Sequence, residues 1–498
     1  MSNDSPEPSL RQADVAERAT LGTMAFFGSG GVAVGVKNVL FGSWVLLYYN
    51  QVLELSPWLA SLALGLALIF DAISDPLVGA WSDRVHSRFG RRHPFMYASI
   101  IPFTAAIYFI LQPPQGLSET ELFLYLLVLA VAVRVSMTFY EVPRQALGPE
   151  LTKDYEQRTQ LVGIATAFGF IGGTGMSFYI MTYLFPETAE YSGSEALLNP
   201  AGYAILARTA AVVVFVSCVV STLGLQNRIN RLYVPPITTR PTLRELLREA
   251  EETLSNRSWL VLFFAGMVFA LFVGLQSGIE QYYNVYFWEW VPYQIRLFPL
   301  AQLFVALTCA LLAGAFAKGR DKKRVAVVLF SACVVLGPLP VGLRLLTEAT
   351  GIPLFPANGT DFLWWALLIH SGLMTGAGVV GFILIGSMTA DIVEESQEAT
   401  GRRSEGLISA GPALAQKTMS AGGVLILGGL LEIFGFNQPD PTVESMREPM
   451  QQLAKFQLAL VIVFPAISTW LISKYSITRE GHEKRIEELG YTRIESTE

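Results

Sequence analysis

Twelve apolar stretches, each long enough to cross a lipid bilayer, constrain this chain more than any other feature. About 20 apolar residues, rising about 1.5 Å each, cross the roughly 30 Å hydrocarbon layer. The stretches run over Met24–Tyr49, Trp58–Trp81, Phe95–Leu111, Leu122–Val142, Leu161–Phe185 and Ala201–Leu225. After a polar gap they resume over Trp259–Phe287, Ile295–Ala317, Val325–Leu346, Phe362–Met388, Leu407–Phe434 and Leu453–Lys474. In lipid each backbone N–H and C=O must be satisfied within its own segment, so these stretches are predicted helices. The alternating pattern of a membrane β-barrel is absent. The chain is 52% hydrophobic and 15% charged, where an average soluble domain carries about 25% charged residues. That excludes a disordered chain, a collagen-like chain and a typical soluble enzyme. A net charge of -6 gives no pointer to nucleic acid, and Cys218, Cys309 and Cys333, scattered in apolar stretches, make neither a disulfide framework nor a CxxC site.

Lys/Arg asymmetry sets the expected topology. The short loops after even-numbered stretches are basic: 83–93 (DRVHSRFGRRH), 143–158 (PRQALGPELTKDYEQR) and 318–324 (KGRDKKR). Those after odd-numbered stretches, 50–57, 113–120 and 186–200, carry no Lys or Arg. Both termini are therefore expected in the cytoplasm. Residues 1–22 read as a disordered tail, because they are polar and lack a basic leader. Gln226–Ser258, with the amphipathic run 242–254, divides the chain into a bundle of six helices at 23–226, a linker at 227–257 and a second bundle of six at 258–475, followed by a tail at 476–498. The basic loop at 83–93 has a shorter echo at 318–324, as an internal repeat would give. The expected fold is an all-α membrane protein of twelve transmembrane helices in two six-helix halves, the major facilitator architecture.

Charges inside apolar stretches are the chemically informative residues, because each costs roughly 2.5–3.5 kcal/mol at a span centre unless it meets a cavity or a partner. They are Lys37, Asp71, Asp75, Arg134, Glu141, Glu280, Arg296 and Lys417. Asp71 and Asp75 stand four apart and share a helix face. Two carboxylates that close repel unless a cation or a shared proton intervenes, and Ser74 adds an oxygen, which suits sodium or a proton. The competing reading is that the pair answers the basic loop beside it. Lys417 either faces a central cavity or snorkels to the interface. Gln276, Glu280 and Asn284 form a polar stripe at helical spacing, expected to line a cavity, and Lys37, Asn38 and Arg134 are further cavity or ion-pair candidates. GSGGVA at 28–33 matches a dinucleotide fingerprint but opens an apolar stretch, so it reads as small residues for close helix packing. GPALAQKT at 411–418 lacks the glycine before Lys417 that a phosphate loop needs. No nucleophile–base constellation and no metal-ligand spacing is readable around His370 or elsewhere, so neither an enzyme nor a cofactor is expected.

Three stretches carry a family resemblance. FDAISDPLVGAWSDRVHSRFGRRHPF (70–95), VPRQALGPELTKDYEQRTQL (142–161) and MTADIVEESQEATGRRSEGLISAGPALAQKTMSAGG (388–423) resemble signatures of the glycoside–pentoside–hexuronide:cation symporters, the melibiose-carrier branch of the major facilitator superfamily. The resemblance implies a cation site (Na+, Li+ or H+) at Asp71, Ser74, Asp75 and Thr138. It implies a substrate cavity with Glu141, Gln145 and Lys417, to which Lys37 and Glu280 are added from their placement inside apolar stretches. The family's sugar-recognition positions are not kept: its first-span aspartate falls on Gly35, its stacking tryptophan on Gln145 and its fifth-span arginine on Thr166. The implied function is cation-coupled symport of a small polar solute, a sugar or glycoside, by alternating access in the plasma (inner) membrane, with the chain acting as a monomer. An amphiphile such as a lysophospholipid is the rival substrate, and a non-transporting membrane sensor is the rival from another class. Asp83, Arg84, Arg91, Arg92, Asp391 and Arg402, with Glu150, Asp154 and Glu394, are expected to latch the cytoplasmic end, the alternative being that these loops only set topology.

Overall fold

A computed structural model of the chain describes residues 19–85, 87–152, 155–229, 256–317, 320–400, 405–439 and 441–477. The tail at 1–18, most of the 227–257 linker, the tail from 478, and the gate candidates Asp154 and Arg402 lie outside the described residues, as does the Glu394 side chain. Among the described residues twelve helices are long and apolar enough to cross a membrane. They are α1 (Leu21–Val52), α2 (Pro57–Ser82), α3 (His93–Ile110), α4 (Glu119–Leu151), α5 (Tyr155–Tyr179), α6 (Pro200–Gln226), α7 (Arg257–Gln276), α8 (Leu297–Ala317), α9 (Lys322–Thr350), α10 (Asp361–Thr400), α11 (Glu405–Ile433) and α12 (Arg447–Ile472).

Local chemistry marks the helix starts. Ser56, Ser118, Asn199, Asn256 and Asp321 each cap an N-terminus with a side-chain oxygen, satisfying an N–H that has no partner within the helix. At Ser118 the cap is reciprocal, because Glu121 accepts from the Ser118 N–H at 2.8 Å. Two elements outrun their apolar stretches. α4 continues nine residues past Val142, through Pro143 and Pro149, and α10 continues to Thr400. Much of the expected loop at 143–158 is thus helical, and that extension buries Arg144 and Glu150. In α7 the stretch is interrupted: the helix ends at Gln276, Gly278 takes φ +87, and a short second piece resumes at Ile279.

Each half repeats one packing plan. In the first, α1 packs on α5 and α6, α2 on α4, and α3 on α4 and α6. In the second, α7 packs on α11 and α12, α8 on α10, and α9 on α10 and α12. The halves meet where α2 packs on α11 and α5 on α8, which are equivalent pairs under the repeat. Small residues bring the inner helices together. A Cβ at Gly35 would lie 2.0 Å from the Gly169 carbonyl oxygen of α5, and one at Gly423 would lie 2.1 Å from the Leu271 oxygen of α7.

The two ends of the bundle differ. Opposite the basic loops, the halves are joined by buried uncharged hydrogen bonds. Asn50 and Gln51 donate to the Phe436 carbonyl at 2.9 and 3.1 Å, Tyr282 donates to Asn50 at 2.8 Å, and Tyr286 donates to Gln51 at 2.5 Å. Ser56 donates to Glu432 of α11 at 2.8 Å. At the basic-loop end the halves separate around a cavity.

Overpacking of a tight helix crossing costs about 1–3 kcal/mol. Gly35→Ala is expected to lower the thermal unfolding midpoint clearly. Gly163→Ala, where an added Cβ meets nothing within 4 Å, leaves it unchanged or slightly raised. Equal midpoints for the two variants would contradict the α1–α5 crossing.

Candidate functional site: a carboxylate pair bridged across the two halves

The cavity between the halves has a volume of about 1310 Å³ and is lined down to the basic-loop ends of α4, α7, α10 and α12. Its polar centre is built on α2 and α4, which pack side by side. Asp71 and Asp75, one turn apart on α2, present their carboxylates together. The Thr138 hydroxyl from α4 lies 2.9 Å from Asp75 Oδ1, 3.3 Å from Asp71 Oδ1 and 3.1 Å from Ser74 Oγ. With one proton it can donate to only one of these at a time. Lys417, from α11 of the other half, closes the group: its Nζ donates to Asp71 Oδ2 at 3.0 Å and to Asp75 Oδ2. Arg134 Nη1 stands 3.6 Å from Asp71 Oδ2, with its guanidinium 5.1 Å from the centre of the Phe41 ring.

One turn further along α4, Glu141 is held in a fork. Arg144 donates to its two oxygens at 2.9 and 2.7 Å, and Gln145 donates at 2.8 Å. Arg144 is buried, and its remaining terminal nitrogen donates to the Phe27 carbonyl of α1 at 2.9 Å. Lys37 lines the same cavity from α1, is 8% exposed, and has no hydrogen-bond or ion-pair partner among the described residues.

The structure therefore brings together Asp71, Ser74, Asp75, Thr138 and Lys417 in one cluster, and places Lys37, Arg134, Glu141 and Gln145 around the same cavity. Other candidates stand apart. Glu280 is exposed, lies beyond the Gly278 break and does not line the cavity, because the break destroys the helical spacing that would align it with Gln276. Gln276 does line it and accepts from Gln457 at 2.5 Å. Asn284 donates to Gln281, Arg296 donates to the Tyr293 carbonyl near the start of α8, and Asn38 is exposed away from the cavity lining. Gly35 packs into α5, so no acidic side chain could stand there, and Thr166 is exposed with its hydroxyl on the Val162 carbonyl.

At the basic-loop end, Arg91 and Arg92 hold Glu150 at 2.9 and 3.3 Å, Arg92 also reaches Asp83 at 2.5 Å and Ser82 at 2.6 Å, and Lys322 holds Asp391 at 2.7 Å. These pairs each lie within one half. Arg84 sits exposed in the turn after α2.

Sequence reading missed Arg144, which lay in a stretch taken as loop, although its position three residues after Glu141 was the available signal. It also missed the apolar cavity wall of α7 and α10, where Trp259, Phe263, Phe382 and Ile385 line the space. Aromatic and aliphatic residues in a membrane helix look the same whether they face lipid, a neighbour or a cavity.

Comparison with known proteins places the chain among carriers. The family model described as MFS/sugar transport protein matches residues 26–479. The uncharacterized symporter sll1374 of Synechocystis is 25% identical over 542 aligned residues, which cover 92% of this chain and 96% of that one. The isoprimeverose transporter of Lactiplantibacillus pentosus is 23% identical, over 81% of this chain and 78% of its own length. Among solved structures, a bacterial homolog of the human lysosomal transporter Spinster, inward-facing and unoccupied, superposes with TM-score 0.60 at 14% identity, over 93% of this chain and 97% of that one.

Removing Arg144 leaves a carboxylate and a carbonyl without their donor in a largely buried setting, a change that costs about 3 kcal/mol or more. Arg144→Met is expected to lower the thermal midpoint markedly, and adding Glu141→Gln to recover part of the loss. A single variant as stable as the parent would remove the fork from the account.

Proposed function

The chain belongs to the MFS/sugar transport family, in its glycoside–pentoside–hexuronide:cation symporter branch, and from that premise we propose that its coupling cation binds at Asp71, Asp75, Ser74 and Thr138. It is a cation-coupled carrier and not an enzyme. The observation that carries the proposal is the Lys417 ammonium lying between the two carboxylates. A site that accepts one monovalent cation, supplied by the protein itself, has the charge and oxygens to accept another. Hydroxyls of Ser74 and Thr138 beside the pair suit sodium or lithium, and a proton on one carboxylate relieves the same repulsion.

In this mechanism Lys417 is an internal substitute for the coupling cation. When the cation enters, Lys417 is released from the carboxylates and its charge becomes available to substrate in the cavity. When cation and substrate leave, Lys417 returns and ties α11 to α2. The carrier rocks between two states about the α2–α11 and α5–α8 contacts, with cation and substrate raising each other's affinity reciprocally. The basic-loop end is read as cytoplasmic, which makes this conformation inward-facing. Its opposite end is sealed by the Asn50, Gln51, Tyr282 and Tyr286 hydrogen bonds. The basic loops with Asp83, Arg84, Arg91, Arg92 and Asp391 would re-pair across the halves when that end closes.

The substrate proposed is a small hydroxylated solute of the sugar or glycoside class, supported by the transport activity in the isoprimeverose carrier's name. An amphiphile is a second reading, favoured by the apolar wall of α7 and α10.

The test needs no substrate. A ligand that binds only the folded protein stabilises it by RT ln(1 + [L]/Kd). The expected result is a saturable rise in thermal midpoint with sodium at constant ionic strength, balanced with choline, that disappears in Asp75→Asn. If the parent does not respond to sodium or lithium, a stability change on shifting pH that depends on Asp75 assigns the proton. Failure of both would defeat the reading.

A further inference from the structure

The two walls of the cavity are chemically unlike. The N-terminal half contributes Lys37, Asp71, Asp75, Arg134 and Glu141, whereas the only charged lining residue of the C-terminal half is Lys417. On α10, Met374, Gly378, Phe382 and Ile385 recur every three or four residues and so share the face that lines the cavity, and Phe263 and Phe269 line it from α7. Phe382 is 80% exposed and Phe269 47% exposed. Apolar surface left open on this scale marks a place where something binds. The cavity volume, about 1310 Å³, exceeds the roughly 300–1,000 Å³ of ordinary small-molecule pockets.

A free sugar carries hydroxyls all round its ring. Held against α7 and α10, those on that side would lose water and gain no partner, which is unfavourable for each group so buried. On the opposite wall the need is reversed: Lys37 presents a buried ammonium with no acceptor. One molecule that answers both walls has an acceptor-bearing head and an apolar body.

We propose that the face of α10 carrying Met374, Gly378, Phe382 and Ile385, with Phe263 and Phe269 of α7, is a subsite for the apolar body of an amphiphilic substrate whose acceptor-bearing head lies toward Lys37. This rests on the transport reading above and names its substrate class. Sugar hydroxyls and a phosphate both supply the acceptors, so a glycoside with an apolar aglycone and a phosphate-headed amphiphile share the chemistry.

The experiment uses the full chain in lipid nanodiscs and titrates four probes: methyl and n-hexyl β-D-glucoside, and methyl and n-hexyl phosphate, all below the concentration at which they form micelles. Ligand-dependent thermal midpoints give the affinities. Each methylene fully buried is worth about fourfold in affinity, so at least about a tenfold advantage of hexyl over methyl is expected in one head series or both. The series with the tighter binding identifies the head. Gly378→Leu supplies the control: a Cβ there meets nothing within 4 Å, and leucine favours helix over glycine, so the variant folds while its side chain occupies the subsite. It is expected to remove the hexyl advantage and to leave the sodium response in place.

Equal affinity for methyl and hexyl probes, no response to any probe, or a hexyl advantage that survives Gly378→Leu would each overturn the subsite. Any of these with the sodium or proton response intact overturns the subsite alone. A hexyl advantage lost in Gly378→Leu, in a chain that answers to no cation, supports the subsite and overturns the coupling.

Discussion

Everything distinctive about this carrier turns on one ammonium held by two carboxylates. Asp71 and Asp75 cannot both stay ionised at one-turn spacing without a positive charge between them, and the nearest one comes from the other half of the molecule as Lys417. Electrostatics therefore does what packing alone does not. It fastens α2 to α11 at the mid-depth of the cavity, and it makes that fastening depend on what else can occupy the pair. Arg134 does not replace Lys417 in this role: it stands 3.6 Å from Asp71 only and belongs to the same half as the acids, so its attraction creates no tie between halves.

The remaining features follow from what each part of the molecule must do around that tie. Permanent contacts within a half use close backbone approach at glycines such as Gly35 and Gly423, and a buried fork from Arg144 to Glu141 that braces α4 against α1. Contacts between halves are made of parts that can separate at small cost, because uncharged hydrogen bonds contribute only about 0.5–1.5 kcal/mol net each. The seal opposite the basic loops is of this kind, with amides, tyrosine hydroxyls and one backbone carbonyl. At the open end, Glu150 and Asp391 keep their cationic partners within their own halves.

Much of this was legible in the sequence, for identifiable reasons. The twelve helices follow from the cost of unsatisfied backbone in lipid, and the repeat of two six-helix units is seen again in the equivalent helix pairings. The Asp71/Asp75 face could be read because four-residue spacing is local geometry, and the spacing of Ser74 came with it. Thr138 and Glu141 entered only through family resemblance, because nothing in α4 alone marks them. The pairing of Lys417 with the acids, 342 residues away along the chain, was beyond spacing. Glu280 misled because its neighbours have perfect helical spacing, which Gly278 interrupts. Gly35 illustrates the opposite hazard: a position matched to a binding residue by alignment is one where no side chain fits. Arg144 was hidden by two prolines that α4 runs straight through.

The central claim is that Lys417 and the coupling cation compete for the same carboxylates. The most direct measurement is the sodium affinity of Lys417→Met beside the parent, taken from the sodium dependence of the thermal midpoint at constant ionic strength. If the two compete, the variant starts less stable without sodium and binds sodium more tightly than the parent, because the internal competitor is gone. Sodium binding that is weakened or abolished in Lys417→Met would show that the lysine helps to build the cation site, contradicting the account.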